Sequence, residues 1–281
     1  MTANWKPMAI GFIAACVAAA AGYAPVQGQD ALPTGVTAVT AKAPSADHPL
    51  SELFSGWVMR EKETQVLQMD DFDNPGMLWV SQGEELFNKV EGASNKACAS
   101  CHTPDALKGV GAAMPKWHDK QGKPVNLEQQ INICRKDQMQ AEEWKFDSEP
   151  LKAMTTYVRH QSRGMPVVMK NEGPMAAWIA KGKEIYYTRV GQLNMACATC
   201  HETNAGNYLR ADHLSQGQSN GFPTFRLKDP SIVSLHNRFV GCMRDVRAEP
   251  YKPLSDEFVA LEAYLAWRGQ GLQVETPAVR Q

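Results

Sequence analysis

Cys98-Ala-Ser-Cys101-His102 and Cys197-Ala-Thr-Cys200-His201 each set two thiols about one turn apart and follow the second with a histidine. Thiols at that separation can add across the two vinyl groups of a haem, and the adjacent imidazole then reaches the iron from one face. The spacing predicts two covalently bound c-type haems. Cys98 and Cys101 would hold the first and Cys197 and Cys200 the second, with His102 and His201 as axial ligands. One such pentapeptide could be chance, but two of them, 99 residues apart, form a repeat.

Two further cysteines fall in a matching frame, one per repeat. Cys134 has Leu127 seven residues before it and Asp137 three after; Cys242 has Leu235 and Asp245 at the same offsets. Three arrangements compete. A Cys134–Cys242 disulfide suits an oxidising compartment, but equivalent positions of tandem repeats are awkward to bridge. Methionine is a common sixth ligand in electron carriers; Met165 would serve the first iron, whereas the second half offers only His236 as a fallback. The third arrangement makes each cysteine a thiolate ligand, which stabilises the ferric state and pushes the potential negative. One cysteine per repeat in the same frame favours the third, and the other two stay open.

Around Cys242 the charge is one-sided. Arg226, Lys228, Arg238, Arg244, Arg247 and Lys252 are opposed only by Asp229, Asp245 and Glu249. On a helix, Arg238, Cys242 and Asp245 share one face at spacings of four and three. A reactive sulfur with a local positive excess suits a small dianion, although Arg244 and Arg247 could equally pair with haem propionates. The position matching Arg238 in the first repeat is the uncharged Gln130, so that site lacks the anion anchor.

The elements that must position these groups also repeat. Trp79, Gly83, Leu86 and Phe87 precede the first motif as Trp178, Gly182, Ile185 and Tyr186 precede the second, at helical spacing. The glycine is expected to allow close approach of a second helix. Leu151–Arg159 and Phe258–Trp267 are the expected closing helices, with Ser148 and Ser255 near their starts. Strand signals are sparse, so the expected fold is all-α: two tandem class I cytochrome c domains, at 76–170 and 171–281, joined through Gly164–Pro174 and preceded by an N-terminal extension at 29–75. Its Ser51–Met77 stretch is expected to wrap on the first domain.

Residues 1–28 read as a signal peptide. Lys6 precedes an apolar run, Met8–Ala21, too short to span a bilayer, and cleavage is expected after Gly28. A lipobox at Ile13-Ala14-Ala15-Cys16 is the weaker reading, because the apolar run continues beyond Cys16. Export to the periplasm follows, with no second apolar run and no membrane span expected. A net charge of −1 gives no reason to expect nucleic acid as a partner.

The segment from Arg238 through Cys242 to Pro250, together with both haem motifs, resembles the SoxA family of the SoxAX cytochromes of bacterial sulfur oxidation. The resemblance covers both halves, and the intact first motif places the chain with the dihaem branch. It implies an L-cysteine S-thiosulfotransferase that couples thiosulfate to a cysteine on a SoxYZ-like carrier protein. It also implies that Cys242 ligates the second iron and carries a persulfide, that Arg238 binds the substrate anion, and that a SoxX-like monohaem subunit completes a heterodimer. The rival class is a dihaem electron carrier with no chemistry of its own; a haem peroxidase is the weaker alternative.

Overall fold

The structure, a computed structural model, describes residues 32–281; the expected signal peptide, its cleavage site and the Cys16 alternative lie outside the described residues. Seven α-helices carry the frame: α1 (Lys62–Met69), α2 (Met77–Asn88), α3 (Leu127–Met139), α4 (Glu149–His160), α5 (Pro174–Tyr187), α6 (Leu235–Asp245) and α7 (Asp256–Arg268). In the first half α2 packs on α4, and in the second α5 packs on α7. The matched glycines lie at these crossings. A Cβ on Gly83 would lie 2.4 Å from the Ala153 carbonyl oxygen and 2.4 Å from Tyr157 Cβ. On Gly182 it would lie 2.0 Å from the Ala260 carbonyl oxygen and 2.7 Å from Tyr264 Cβ. Only hydrogen fits at either place.

Each crossing seeds a core. Val80, Phe87, Leu127, Leu151, Met154 and Tyr157 are buried together in the first half. Ile179, Tyr186, Phe239, Phe258, Leu261 and Tyr264 are buried together in the second. Full burial of large apolar side chains such as these stabilises by about 1.5–3 kcal/mol each. Helix starts follow sequence chemistry. Asn126 accepts from the Gln129 N–H at 3.0 Å while the Gln129 side chain accepts from the Asn126 N–H at 3.0 Å. Ser234 and Ser255 cap α6 and α7 by accepting from Asn237 and Phe258. Ser148 precedes α4 without a side-chain cap, and Pro150 stands in its first turn.

The all-α expectation needs correction. Among the described residues there are nine strands, each of two or three residues. Three hairpins pair Thr40–Lys42 with Glu52–Phe54, Lys116–His118 with Lys123–Val125, and Tyr208–Leu209 with Asp212–His213. A small sheet sets Thr224–Arg226 between antiparallel Ser231–Val233 and parallel Ala278–Arg280. Runs this short show no alternation that a periodicity test could detect.

The extension meets the first domain as expected, where Arg163 donates to Asp71 at 2.6 Å, but it also binds the second half and the C-terminal tail. Phe54 N–H donates to Gln216 at 2.8 Å, and Gln216 donates back to the Glu52 carbonyl at 3.1 Å. On α1, Gln68 donates to Glu275 at 3.0 Å and accepts from the Val279 N–H at 3.0 Å and from Arg280 at 2.7 Å. Asn74 donates to the Pro277 carbonyl at 2.9 Å. Glu275 and Arg280 would be costly to bury alone, and pairing with each other and with Gln68 resolves that. The expected linker is likewise tied down: Val167 donates to Leu272 at 2.8 Å and Val274 to Met165 at 2.9 Å. No helix among the described residues is long and apolar enough to cross a membrane.

Candidate functional site

Both cysteine motifs leave a tight turn through the same local bond. Ala97 N–H donates to Ser100 Oγ at 3.0 Å, and Ala196 N–H donates to Thr199 Oγ1 at 3.1 Å. Beyond that they diverge. The first winds a single 3-10 turn, Cys98–Ser100, whereas the second winds a π-turn, Thr199–Thr203, through its second cysteine and histidine.

His201 sits in a prepared seat. A carbonyl can only accept, so the 2.9 Å contact of Nδ1 with the Ser215 carbonyl fixes the proton on Nδ1 and leaves the Nε2 lone pair for iron. Gly217, at φ +73, lies flat against the ring; a Cβ there would be 2.8 Å from His201 Cγ. Arg268, fully buried, donates to the His201 carbonyl at 3.3 Å and to the Gln216 carbonyl. Burial, with the fields of Arg238 and Arg268 behind it, pushes the His201 imidazole down to about 4, so the ring is neutral at physiological pH. A neutral, oriented imidazole beside two cysteines fits an axially ligated c-type haem. His102 has no such seat: it is exposed, and its ring makes no hydrogen bond among the described residues.

All six described cysteines are free. Cys134 lies on α3 and accepts a hydrogen bond from Gln130 at 3.4 Å. Its field reaches Cys98, whose thiol is pushed up chiefly by burial. Cys242 lies on α6, and its field reaches both Cys197 and Cys200. Burial pushes the Cys197 thiol up to about 12; in the haem-bearing chain that sulfur would be a thioether with no proton to lose. Each extra cysteine therefore sits beside its own motif, and the Cys134–Cys242 disulfide reading is overturned. So is the His236 fallback. That ring is buried between Phe239 and Phe258, Nδ1 accepts from the Leu254 N–H at 3.0 Å, and Nε2 faces Glu262 at 3.0 Å, off the line of its N–H. Met165 lies in the segment paired with the C-terminal tail and is 37% exposed.

Arg238, Cys242 and Asp245 do lie on one helix, α6, with Arg238 and Cys242 half-buried and Asp245 exposed. Of the six basic residues of this region, Arg226 and Arg238 are half-buried; Lys228, Arg244, Arg247 and Lys252 are exposed. Arg226 lies within electrostatic reach of both Arg238 and Cys242. Four residues of the site carry no signal in the linear sequence: Arg60, Ser215, Gly217 and Arg268. Tertiary folding brings them to the second motif, and no spacing rule connects them to it.

The family description "SoxA/TsdA, cytochrome c domain" matches residues 82–167 and, separately, 181–274. The chain is 55% identical over 246 residues to the L-cysteine S-thiosulfotransferase subunit SoxA of Pseudaminobacter salicylatoxidans, covering 86% of each. It is 49% identical over 248 residues to the subunit of that name from Paracoccus pantotrophus, covering 87% of this chain and 86% of that one. A crystal structure of SoxXA from P. pantotrophus superposes with a TM-score of 0.84 at 49% identity, covering 88% of this chain and 94% of that chain.

Proposed function

This chain belongs to the SoxA/TsdA cytochrome c family, and on that premise we propose that it is the thiosulfate-coupling subunit of an L-cysteine S-thiosulfotransferase, with its chemistry at the second haem motif. The observation that carries the reading is the pairing of a half-buried cysteine, Cys242, with a half-buried arginine, Arg238, one helical turn before it on α6 and facing the Cys197–His201 motif. A dihaem carrier needs no unpaired guanidinium beside its sulfur.

Cys98, Cys101, Cys197 and Cys200 would hold two haems covalently; His102 and Cys134 would ligate the first iron, and His201 and Cys242 the second. When bound, the haems supply one-electron acceptors. Arg238 binds the thiosulfate dianion and aims its outer sulfur at Cys242. The Cys242 thiolate joins that sulfur, and two electrons leave as the sulfur–sulfur bond forms. A carrier-protein thiolate then attacks the same sulfur, and Cys242 departs as thiolate. The net change is loss of one proton and two electrons from carrier thiol plus thiosulfate. Cys242 as a persulfide would follow the same course one sulfur further out.

A SoxX-like monohaem subunit would take the electrons onward, and a SoxYZ-like protein would bring the cysteine, both in the periplasm after removal of residues 1–28. The catalytic domain is 171–281 and its partner 76–170, with 29–75 as the extension. Cys242→Ala should abolish thiosulfate coupling, whereas Cys134→Ala should keep much of it. Steady-state rates with thiosulfate and carrier, alongside haem stoichiometry, test this; equal and complete loss in two folded variants would reject the confinement of catalysis to the second site.

A further inference from the structure

Arg60 comes to the site from the extension, far from either motif in sequence. It closes the turn Trp57–Arg60, donates to the His213 carbonyl at the base of the Tyr208–His213 hairpin, and is half-buried. Its Nε is buried with no hydrogen-bond partner. Arg238 lies within electrostatic reach of both Arg60 and Arg226. Among the described residues, none of the three makes a salt bridge; Glu61 and Asp212 act on Arg60, and Asp212 and Asp229 on Arg226, only at longer range. Arg238 therefore repels two other half-buried guanidiniums, and the cost is relieved when an anion enters. A buried N–H without an acceptor adds to that cost and points to what the anion must offer, namely oxygens.

Building on the thiosulfate reading, we propose that Arg60 and Arg226 form with Arg238 a three-guanidinium site that grips the sulfonate end of the substrate. Arg238 then holds the sulfonate at the end nearest Cys242, while Arg60 and Arg226 hold the oxygens remote from the reacting sulfur. The geometry also gives the extension a role, since its anchoring on Gln216, Glu275 and Arg280 carries Arg60 into place. Arg60 and Arg226 are positioning residues in this scheme, and their contribution is to binding more than to the rate of the bonded complex.

The test uses the haem-loaded two-subunit complex. Arg60→Gln keeps a donor for the His213 carbonyl but removes the charge. It should raise the KM for thiosulfate about tenfold with a fall in kcat of less than threefold, and weaken competitive inhibition by sulfate in parallel. Arg60→Lys should recover part of both, and Arg226→Gln should behave like Arg60→Gln. Unchanged KM and sulfate inhibition in Arg60→Gln, while Arg238→Ala is still impaired, would overturn the three-arginine site and leave the thiosulfate reading standing. A shifted haem potential with unchanged KM would overturn it too, by assigning Arg60 to a haem propionate. Wild-type turnover in Arg238→Ala would remove the parent reading and this site with it. Should Arg60→Gln lose haem, Arg226→Gln carries the same test, and an unchanged KM there overturns the proposal.

Discussion

At the scale of single residues, the contrast between Arg238 and Gln130 is the most informative pair in the chain. Both stand one helical turn before a cysteine, and Gln130 shows what that position does without a charge: it donates a neutral hydrogen bond to the Cys134 sulfur at 3.4 Å. A guanidinium in the same place can instead make charge-assisted bonds to an anion, and in a half-buried site these are worth more than at the surface. Arg238→Ala should lower turnover with thiosulfate and carrier about a hundredfold, roughly 3 kcal/mol of transition-state stabilisation. Haem content and visible spectrum should stay near wild type, and Arg238→Lys should recover only part, since an ammonium cannot present a planar fork. The cysteines, histidines and Arg238 were legible in the sequence because their spacing to near neighbours is short and, for the cysteines and histidines, recurs in both halves. The Ser215 carbonyl, Gly217 and Arg268 were not, because they reach His201 from 14, 16 and 67 residues away.

At the scale of elements, the repeat that organises the sequence reappears as two helix crossings built on the same plan. Gly83 and Gly182 meet Ala153 and Ala260 carbonyls and Tyr157 and Tyr264 side chains in turn. Gly182→Ala must push α5 off α7, since backbone, not a flexible side chain, occupies the space. The expected loss is about 2–3 kcal/mol, in the upper part of the range for overpacking a core, and Gly83→Ala should lose a similar amount. Urea denaturation of the haem-loaded protein would measure both; a midpoint equal to wild type in Gly182→Ala would mean that the helices do not cross this closely. These crossings could be anticipated because an aromatic stripe with an embedded glycine marks a helix that touches another. The nine short strands could not, and neither could the second partner of the extension. Periodicity in Ser51–Met77 says that one face is covered but not by what, and the covering groups, Glu275 to Arg280, lie at the other end of the chain.

At the scale of the whole molecule, a buried polar cluster joins the two halves. Glu128 on α3, Arg159 on α4, His236 on α6 and Glu262 on α7 meet there, with Asn126 donating to Glu262 at 3.2 Å. Two of these helices, α3 and α6, also carry Cys134 and Cys242. Burial, reinforced by the Glu262 charge, pushes the Glu128 carboxyl up to about 7 against the pull of His236 and Arg159. The folded chain therefore holds a proton on Glu128 between its ordinary value of 4.5 and about 7, where the unfolded chain does not. Folding stability from this group is full below about pH 4.5, falls as pH rises towards 7, and is flat above, with a total amplitude of roughly 3 kcal/mol. Glu128→Gln should remove that decline, because a neutral amide occupies the same space at every pH. Urea midpoints at pH 5 and pH 8 give the comparison. The wild type should lose stability across the interval and the variant should lose less, ending the more stable of the two at pH 8. Parallel midpoints in both proteins would mean that Glu128 is already ionised in the folded chain, and that the Arg159 guanidinium balances its charge.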